Sequence, residues 1–475
     1  MQHVHLIAIG GTGMGSLAGL LRARGLEVTG SDRELYPPMS EALERWDIPV
    51  TVGFRPENLD FDRPPDVVVI GNAVRPDNPE ARAAMDRGYR ITSFPDALYE
   101  FAMADKHRVV VSGTHGKTTT TSMLGTLLLE TGRDPSLLVG GIANNFNGSF
   151  REGAGDHFIV EGDEYDTVFF DKTPKFLHYH ANTAILTSVE FDHADIYEDL
   201  AAVQAAFRQL VDAMPDDGTL VAATANEGVA EVVRGAPCRV IGYGVGAGSA
   251  TEHSAARLEA NAEGTSFDWR HRGEVVARPI LPSFGRHNVE NALSALVVCR
   301  ELGVDPEEAA AALARYRGVK RRQEVRGEVS GVTVIDDFAH HPTAVRETLS
   351  GLAERFPGRR IVAVFEPRSN TSRRDVFQEQ YAASFESAGR VIVAEVADQP
   401  IYSATGEVET RFSAERLAED LGKRGIPALA LDGVDAIVEE LVADRKSGDV
   451  VVTLSNGSFG GIWDALLGRL AGIAT

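Results

Sequence analysis

At 475 residues the chain exceeds what one hydrophobic core usually serves, so two to three domains are expected. Its 43% hydrophobic and 24% charged residues are the proportions of a soluble globular protein. The net charge of −22, from 69 acidic against 47 basic side chains, argues against nucleic acid and anionic membrane surfaces as partners. An anionic substrate would then need a locally basic site or one rich in helix N-termini. Cys238 and Cys299, the only cysteines, offer neither a disulfide framework nor a zinc cluster. The N-terminus reads as a strand entering a glycine turn, not as a signal peptide, and no apolar run has the length of a membrane span. A cytoplasmic protein is expected.

Residues 1–105 read as a first unit. Val4 to Ile9 is a strand, Gly10-Gly11-Thr12-Gly13-Met14-Gly15 a phosphate-type turn, Leu17 to Arg24 a helix, and Glu27 to Asp32 a second strand with an acidic end. Asp32 lies ~20 residues after the turn, where dinucleotide folds place a ribose ligand. The Gly-x-Gly-x-x-Gly spacing is incomplete, because Ser16 stands at its last glycine. Val67 to Ile70 is a further strand, ending in Gly71-Asn72-Ala73. The pattern suits a nucleotide diphosphate across the strand ends; a glycine turn that only packs a helix on a sheet is the alternative.

Residues 106–322 read as a second unit. Val109-Val110-Val111 enters Ser112-Gly113-Thr114-His115-Gly116-Lys117-Thr118-Thr119-Thr120-Thr121, and an apolar helical pattern follows from Met123 to Leu129. Backbone N–H groups of such a strand–loop–helix bind a phosphate, Lys117 adds a cation, and Thr118 a hydroxyl for magnesium. Val111 replaces the glycine of the strict P-loop pattern, so this loop is shorter; a polar-capped βα turn is the bland alternative. Two further strands end in Glu161-Gly162-Asp163-Glu164 and in Ser188-Val189-Glu190-Phe191-Asp192-His193. Carboxylates and an imidazole at this sheet edge can hold magnesium beside phosphates, or can be solvated loops. The stretch 244–273 reads as a small hairpin region. Gly285-Arg286-His287-Asn288 then opens a helix on which Asn288 and Asn291 share a face, for adenine or, in the case of Asn288, for capping.

Residues 323–475 read as a doubly wound α/β domain. Its strands run into Asp336-Asp337-Phe338-Ala339-His340-His341-Pro342-Thr343, Glu366-Pro367-Arg368-Ser369-Asn370-Thr371 and Ser455-Asn456-Gly457-Ser458-Phe459-Gly460-Gly461. Polar loops at that edge bind ligands more often than not.

As a set, Ser-Gly-Thr-His-Gly-Lys-Thr-Thr-Thr-Thr, Glu-Gly-Asp-Glu-Tyr-Asp, Glu-Phe-Asp-His, the His-Asn-x-x-Asn helix and Arg-Arg-Gln-Glu at 321–324 resemble the ATP-dependent Mur ligases over the whole chain. The resemblance implies three α/β domains. They are an N-terminal Rossmann-like nucleotide-binding domain (1–105) for the UDP-sugar, a central P-loop-type ATPase domain (106–322) and a C-terminal doubly wound Rossmann-like domain (323–475) for the peptide. One branch of the family joins L-alanine to UDP-N-acetylmuramate. Another, in peptidoglycan recycling, joins L-alanyl-γ-D-glutamyl-meso-diaminopimelate to the same nucleotide. The segments Tyr165 to Lys172, Lys175 to Tyr179, Glu366 to Thr371 and Ser455 to Ile462 look like the second branch; the first is the alternative. Ala8 replaces a glycine common in relatives, and Gly162 a usual alanine. Arg208 stands where several relatives carry a carbamylated lysine that bridges two metals; an arginine stays protonated and cannot do so.

The family's chemistry is attack of the lactyl carboxylate on the γ-phosphate of ATP, giving an acyl phosphate, and then attack of the peptide amine with loss of phosphate. By this resemblance Lys117 would stabilise the transferring phosphoryl group, and Thr118, Glu161 and His193 would hold Mg2+. Gly113, Thr114, His115, Gly116 and Thr119 would complete the ATP loop, with His287, Asn288 and Asn291 at the adenine and Arg322 and Asp336 reaching ATP across the domain junction. Gly11, Thr12, Gly13, Met14, Asp32 and Asn72 would hold the UDP-sugar. Arg368, Ser369, Asn370, Asn456 and Gly457 would hold the peptide, a bidentate arginine suiting one of its carboxylates. His340 is a candidate base for the amine, since imidazole titrates near working pH, or else a capping histidine. Bringing ATP and peptide together requires domain closure, with hinges expected near 105 and 322.

Overall fold

The computed structural model describes residues 2–246, 251–396, 400–401, 408 and 410–472, and three mainly parallel sheets follow one another along the chain. The first has five parallel strands in the order Val50–Val52, Glu27–Asp32, His3–Ile7, Val67–Ile70, Ile91–Ser93. Alternate side chains enter opposite cores: Val4, Leu6, Val67 and Val69 on one face, Ile7, Val68 and Ile70 on the other. The first strand ends at Ile7, before the predicted Ile9, because Ala8 turns the backbone to φ 67°. The Ala8 and Ile9 amides then both donate to the Ser31 carbonyl, at 2.8 and 3.0 Å.

In the second sheet the strand His107–Ser112 lies between Thr183–Leu186 and His157–Gly162, all parallel. The helix Lys117–Glu130 follows it directly and packs against the helix Arg286–Glu301. The expected hairpin region contains the antiparallel strands His253–Asn261 and Gly264–His271, and its residues 247–250 lie outside the described residues. A separate two-stranded hairpin, Asp166–Val168 with Asp171–Pro174, leaves this region and lays Val168 among the apolar side chains under the first sheet.

The third sheet has the order Glu324–Val329, Val332–Asp337, Val450–Leu454, Ile361–Phe365, Arg390–Ala394, Ala428–Leu431, with only the first pair antiparallel. Ile361, Ala363 and Phe365 enter one core, and Val362 and Val364 the other. Both faces are therefore covered, as a doubly wound sheet requires. Among the described residues no helix is long and apolar enough to cross a membrane.

Candidate functional site

The C-terminal edges of the three sheets converge on one cleft of about 1140 Å³. That is more than the range of roughly 300–1,000 Å³ usual for a single ligand. Gly11, Thr12, Gly13, Met14 and Asn72 line it from the first domain, the loop 114–119 with Glu161 and His193 from the second, and Asp337 to His341 from the third. Two glycines shape the phosphate loop. Gly113 and Gly116 have φ of 129° and 85°, and a Cβ on either would lie 2.2 Å from Thr187 Oγ1 or 2.4 Å from Asn291 Oδ1. The loop is tied to the neighbouring strand end: the Thr114 amide donates to Ser188 O at 2.9 Å, and the His115 amide to Ser188 Oγ at 2.9 Å.

Lys117 Nζ donates to Gly113 O at 2.6 Å and to both Glu164 oxygens at 2.8 and 3.1 Å. Burial works against its charge, but Glu164, Asp163 and Glu161 outweigh that and hold the ammonium above its ordinary titration range. Glu161 Oε1 accepts the Gly140 amide at 2.5 Å, and Oε2 the Thr118 hydroxyl at 3.1 Å. Burial nonetheless raises its pKa, which leaves a carboxylate that gains from a nearby cation. His193 sits with φ 55° between Tyr165 OH, 2.6 Å from Nδ1, and Glu164 Oε1, 3.1 Å from Nε2. Burial opposes protonation of His193, but Asp192 and Glu164 raise its pKa overall.

His340 lines the cleft, with Nδ1 donating to Phe338 O at 3.0 Å, so that the neutral ring keeps its lone pair on Nε2. Burial lowers its pKa. His341 caps the helix Pro342–Arg355: Nδ1 accepts the Thr343 amide at 3.2 Å, and Nε2 donates to Phe191 O at 3.1 Å across the domain junction. Beside it Glu190 accepts the Thr343 hydroxyl at 2.6 Å. Burial opposes its charge, yet His115, Thr343 and His341 bring its pKa down to about 2.

Comparison with known proteins agrees with this three-part layout. The Mur ligase family, catalytic domain, matches residues 3–106, the Mur ligase middle domain 111–299, and the Mur ligase, glutamate ligase domain, 321–457. The UDP-N-acetylmuramate–L-alanyl-γ-D-glutamyl-meso-2,6-diaminoheptandioate ligase of Haemophilus influenzae is 38% identical over 471 residues, covering 99% of each chain. A UDP-N-acetylmuramate–L-alanine ligase of Salinibacter ruber is also 38% identical, over 98% of this chain and 94% of its own length. The crystal structure of a murein peptide ligase from Psychrobacter arcticus superposes with a TM-score of 0.71 at 34% identity, over 99% of each chain. The chain belongs to the Mur ligase family. Mur ligases are ATP-dependent ligases, and this chain is one of them.

Most of the residues expected at the site of this Mur ligase line the cleft: Gly11 to Met14, Asn72, Thr114 to Thr119, Glu161, His193, His287, Asn288, Asn291, Arg322 and His340. Gly113 lies just behind them in the same loop. Asn288 donates from Nδ2 to Phe284 O at 2.8 Å and Ser283 Oγ at 3.1 Å, holding the turn before its helix, while Asn291 packs against Gly116.

Three expectations need correction. Asp32 does not face the cleft: its carboxylate accepts the amides of Gly10 at 2.6 Å and Arg33 at 2.7 Å, so it pins the glycine turn. Asp336 is fully buried against Arg321, 3.1 Å from Nε, because the strand continues to Asp337 and alternation turns the even residue away. Asp337 is the one at the cleft wall. The metal trio is split: Thr118 and Glu161 are paired, but His193 is engaged by Glu164, the buried carboxylate that also holds Lys117.

The expected peptide residues gather beside the cleft, at the edge of the third sheet. Arg368 is half-exposed and folds over Gly457, where a Cβ would lie 2.3 Å from its Cδ. Ser369 bonds Ser372 Oγ at 2.9 Å, Asn370 reaches Asp195 Oδ2 at 3.3 Å, and Asn456 Oδ1 is buried with no partner among the described residues. Arg208 lies on the surface, paired with Asp212 at 2.8 Å. Glu164 and Tyr165, not singled out from sequence, sit inside the quoted Glu-Gly-Asp-Glu-Tyr-Asp motif. That motif was the available signal.

Proposed function

We propose that this Mur ligase joins L-alanyl-γ-D-glutamyl-meso-diaminopimelate to the lactyl carboxylate of UDP-N-acetylmuramate, with ATP converted to ADP and phosphate, as a step of peptidoglycan recycling in the cytoplasm. The observation that carries this reading is the single cleft onto which the N-terminal glycine turn, the phosphate loop and His340 all open. The proposed domains are 1–105 for the UDP-sugar, 106–322 for ATP and 323–475 for the peptide.

Thr118 and Glu161, a hydroxyl and a carboxylate beside the phosphate loop, are the hard oxygen donors that Mg2+ takes, and they fit it. Bound there, the ion would supply positive charge for the phosphates. His193 joins them only on leaving Glu164. Lys117 turns from Glu164 towards the transferring phosphoryl group and stabilises the charge that gathers on it. His340, neutral through burial and with no partner on Nε2 among the described residues, takes the proton from the attacking amine. Arg368 is the proposed partner of an acceptor carboxylate.

L-Alanine as the acceptor is the second reading, kept open by the equally similar Salinibacter ruber relative. The test is phosphate release with ATP, Mg2+ and UDP-N-acetylmuramate, comparing free L-alanine with the tripeptide. Release with the tripeptide alone supports recycling; release with alanine alone assigns the enzyme to de novo synthesis.

A further inference from the structure

The loop carrying His193 is gripped from the third domain. The Ala194 amide donates to Thr371 Oγ1 at 3.0 Å, and Arg374 Nη1 donates to the Ala194 carbonyl at 2.9 Å. Both polar backbone groups of one residue are thus taken by side chains about 180 positions away in sequence, and Ala194 and Thr371 are 2% and 3% exposed. The neighbouring His193 is held at φ 55°, a left-handed conformation that a histidine keeps only when its surroundings over-determine it. Within its own domain the loop is anchored by Tyr197 OH, which donates to Glu164 O at 2.6 Å, and by Tyr165 on the imidazole.

We propose that Thr371 and Arg374 are positioning residues. By clasping Ala194 they set the backbone of His193, so that this imidazole takes its place beside the phosphate loop only while the third domain is docked. The same loop carries Arg368 and Asn370, so seating the acceptor and seating His193 become one event. The inference rests on the ligase reading above for its kinetic consequence, and on hydrogen bonding alone for its structural one.

The test uses the full-length protein. Thr371→Val keeps the shape and removes the acceptor; Thr371→Ser restores it. Amide hydrogen exchange of the 190–199 segment without ligands should quicken about tenfold or more in Thr371→Val and stay at the wild-type rate in Thr371→Ser. With whichever acceptor the wild type uses, kcat should fall about tenfold in Thr371→Val while the acceptor KM stays within about twofold. Arg374→Gln reads the same clasp from the carbonyl side should Thr371→Val fail to fold. Unchanged exchange, unchanged kcat, or a raised acceptor KM at constant kcat would overturn the proposal. Wild type inert towards the tripeptide and active with alanine would overturn the substrate reading and leave these comparisons intact.

Discussion

Glu164 touches Lys117 with both oxygens, at 2.8 and 3.1 Å, and with Oε1 also approaches His193 Nε2 at 3.1 Å. One buried carboxylate therefore holds both the Lys117 ammonium and the His193 imidazole. Lys117→Met should abolish phosphate release, by about a thousandfold or more. Glu164→Gln, which removes the carboxylate in direct contact with the buried Lys117 and leaves it only the more distant Asp163 and Glu161, should cost about 3 kcal/mol of stability in chemical denaturation. The double variant should lose clearly less than the sum of the single losses. Additive losses would refute the pairing.

The φ of 67° at Ala8 makes a second case. A left-handed alanine costs roughly 1–2 kcal/mol, and glycine relieves this while adding about 0.5–1 kcal/mol of unfolded-chain entropy. Ala8→Gly should therefore stabilise the protein slightly, with a Tm raised by a degree or two. A lowered Tm would mean that the alanine methyl makes compensating contacts.

His341 gives a pH dependence. Burial, helped by the nearby His115, lowers its pKa to about 4. A depressed histidine contributes stability that is complete above its unfolded pKa of about 6.5 and is lost as pH falls towards 4. Up to about 3 kcal/mol is at stake by that linkage. His253, also lowered by burial to about 4, adds to the same window. Urea midpoints should drop between pH 7 and pH 5, and His341→Asn, which keeps a capping side chain, should flatten the drop. An identical drop in the variant would exclude His341 as a source.

For Arg368, replacement by lysine keeps the charge and loses the fork. The tripeptide KM should rise about tenfold, with the KM for UDP-N-acetylmuramate unchanged. Equal rises in both constants would place Arg368 outside the acceptor site.

The three-domain α/β plan was legible because strand, glycine turn and helix recur with clear periodicity, and because the phosphate loop is local in sequence. What escaped was decided by direction. Asp336 and Asp337 are adjacent letters, and only the end of the strand tells which of them faces the cleft. Asp32 stands at the spacing of a ribose ligand, yet the Gly10 amide takes it first. Glu164 and Tyr165 lie inside a recognisable motif, but their hold on His193 joins positions 28 and 29 residues apart that no local pattern links.

Val168 has a consequence for how the chain is made. It is fully buried among Ile7, Leu59, Val68, Ile70, Val74, Ala81 and Ala84. The first hundred residues thus lack a plug that the ribosome delivers only after more than sixty further residues. Until then the nascent N-terminal sheet shows an open apolar socket, and a fragment ending near residue 105 would carry that socket permanently. Such a fragment should be a client for chaperones and a poor vehicle for studying nucleotide binding in isolation, whereas one extended through the hairpin at 166–174 brings its own stopper.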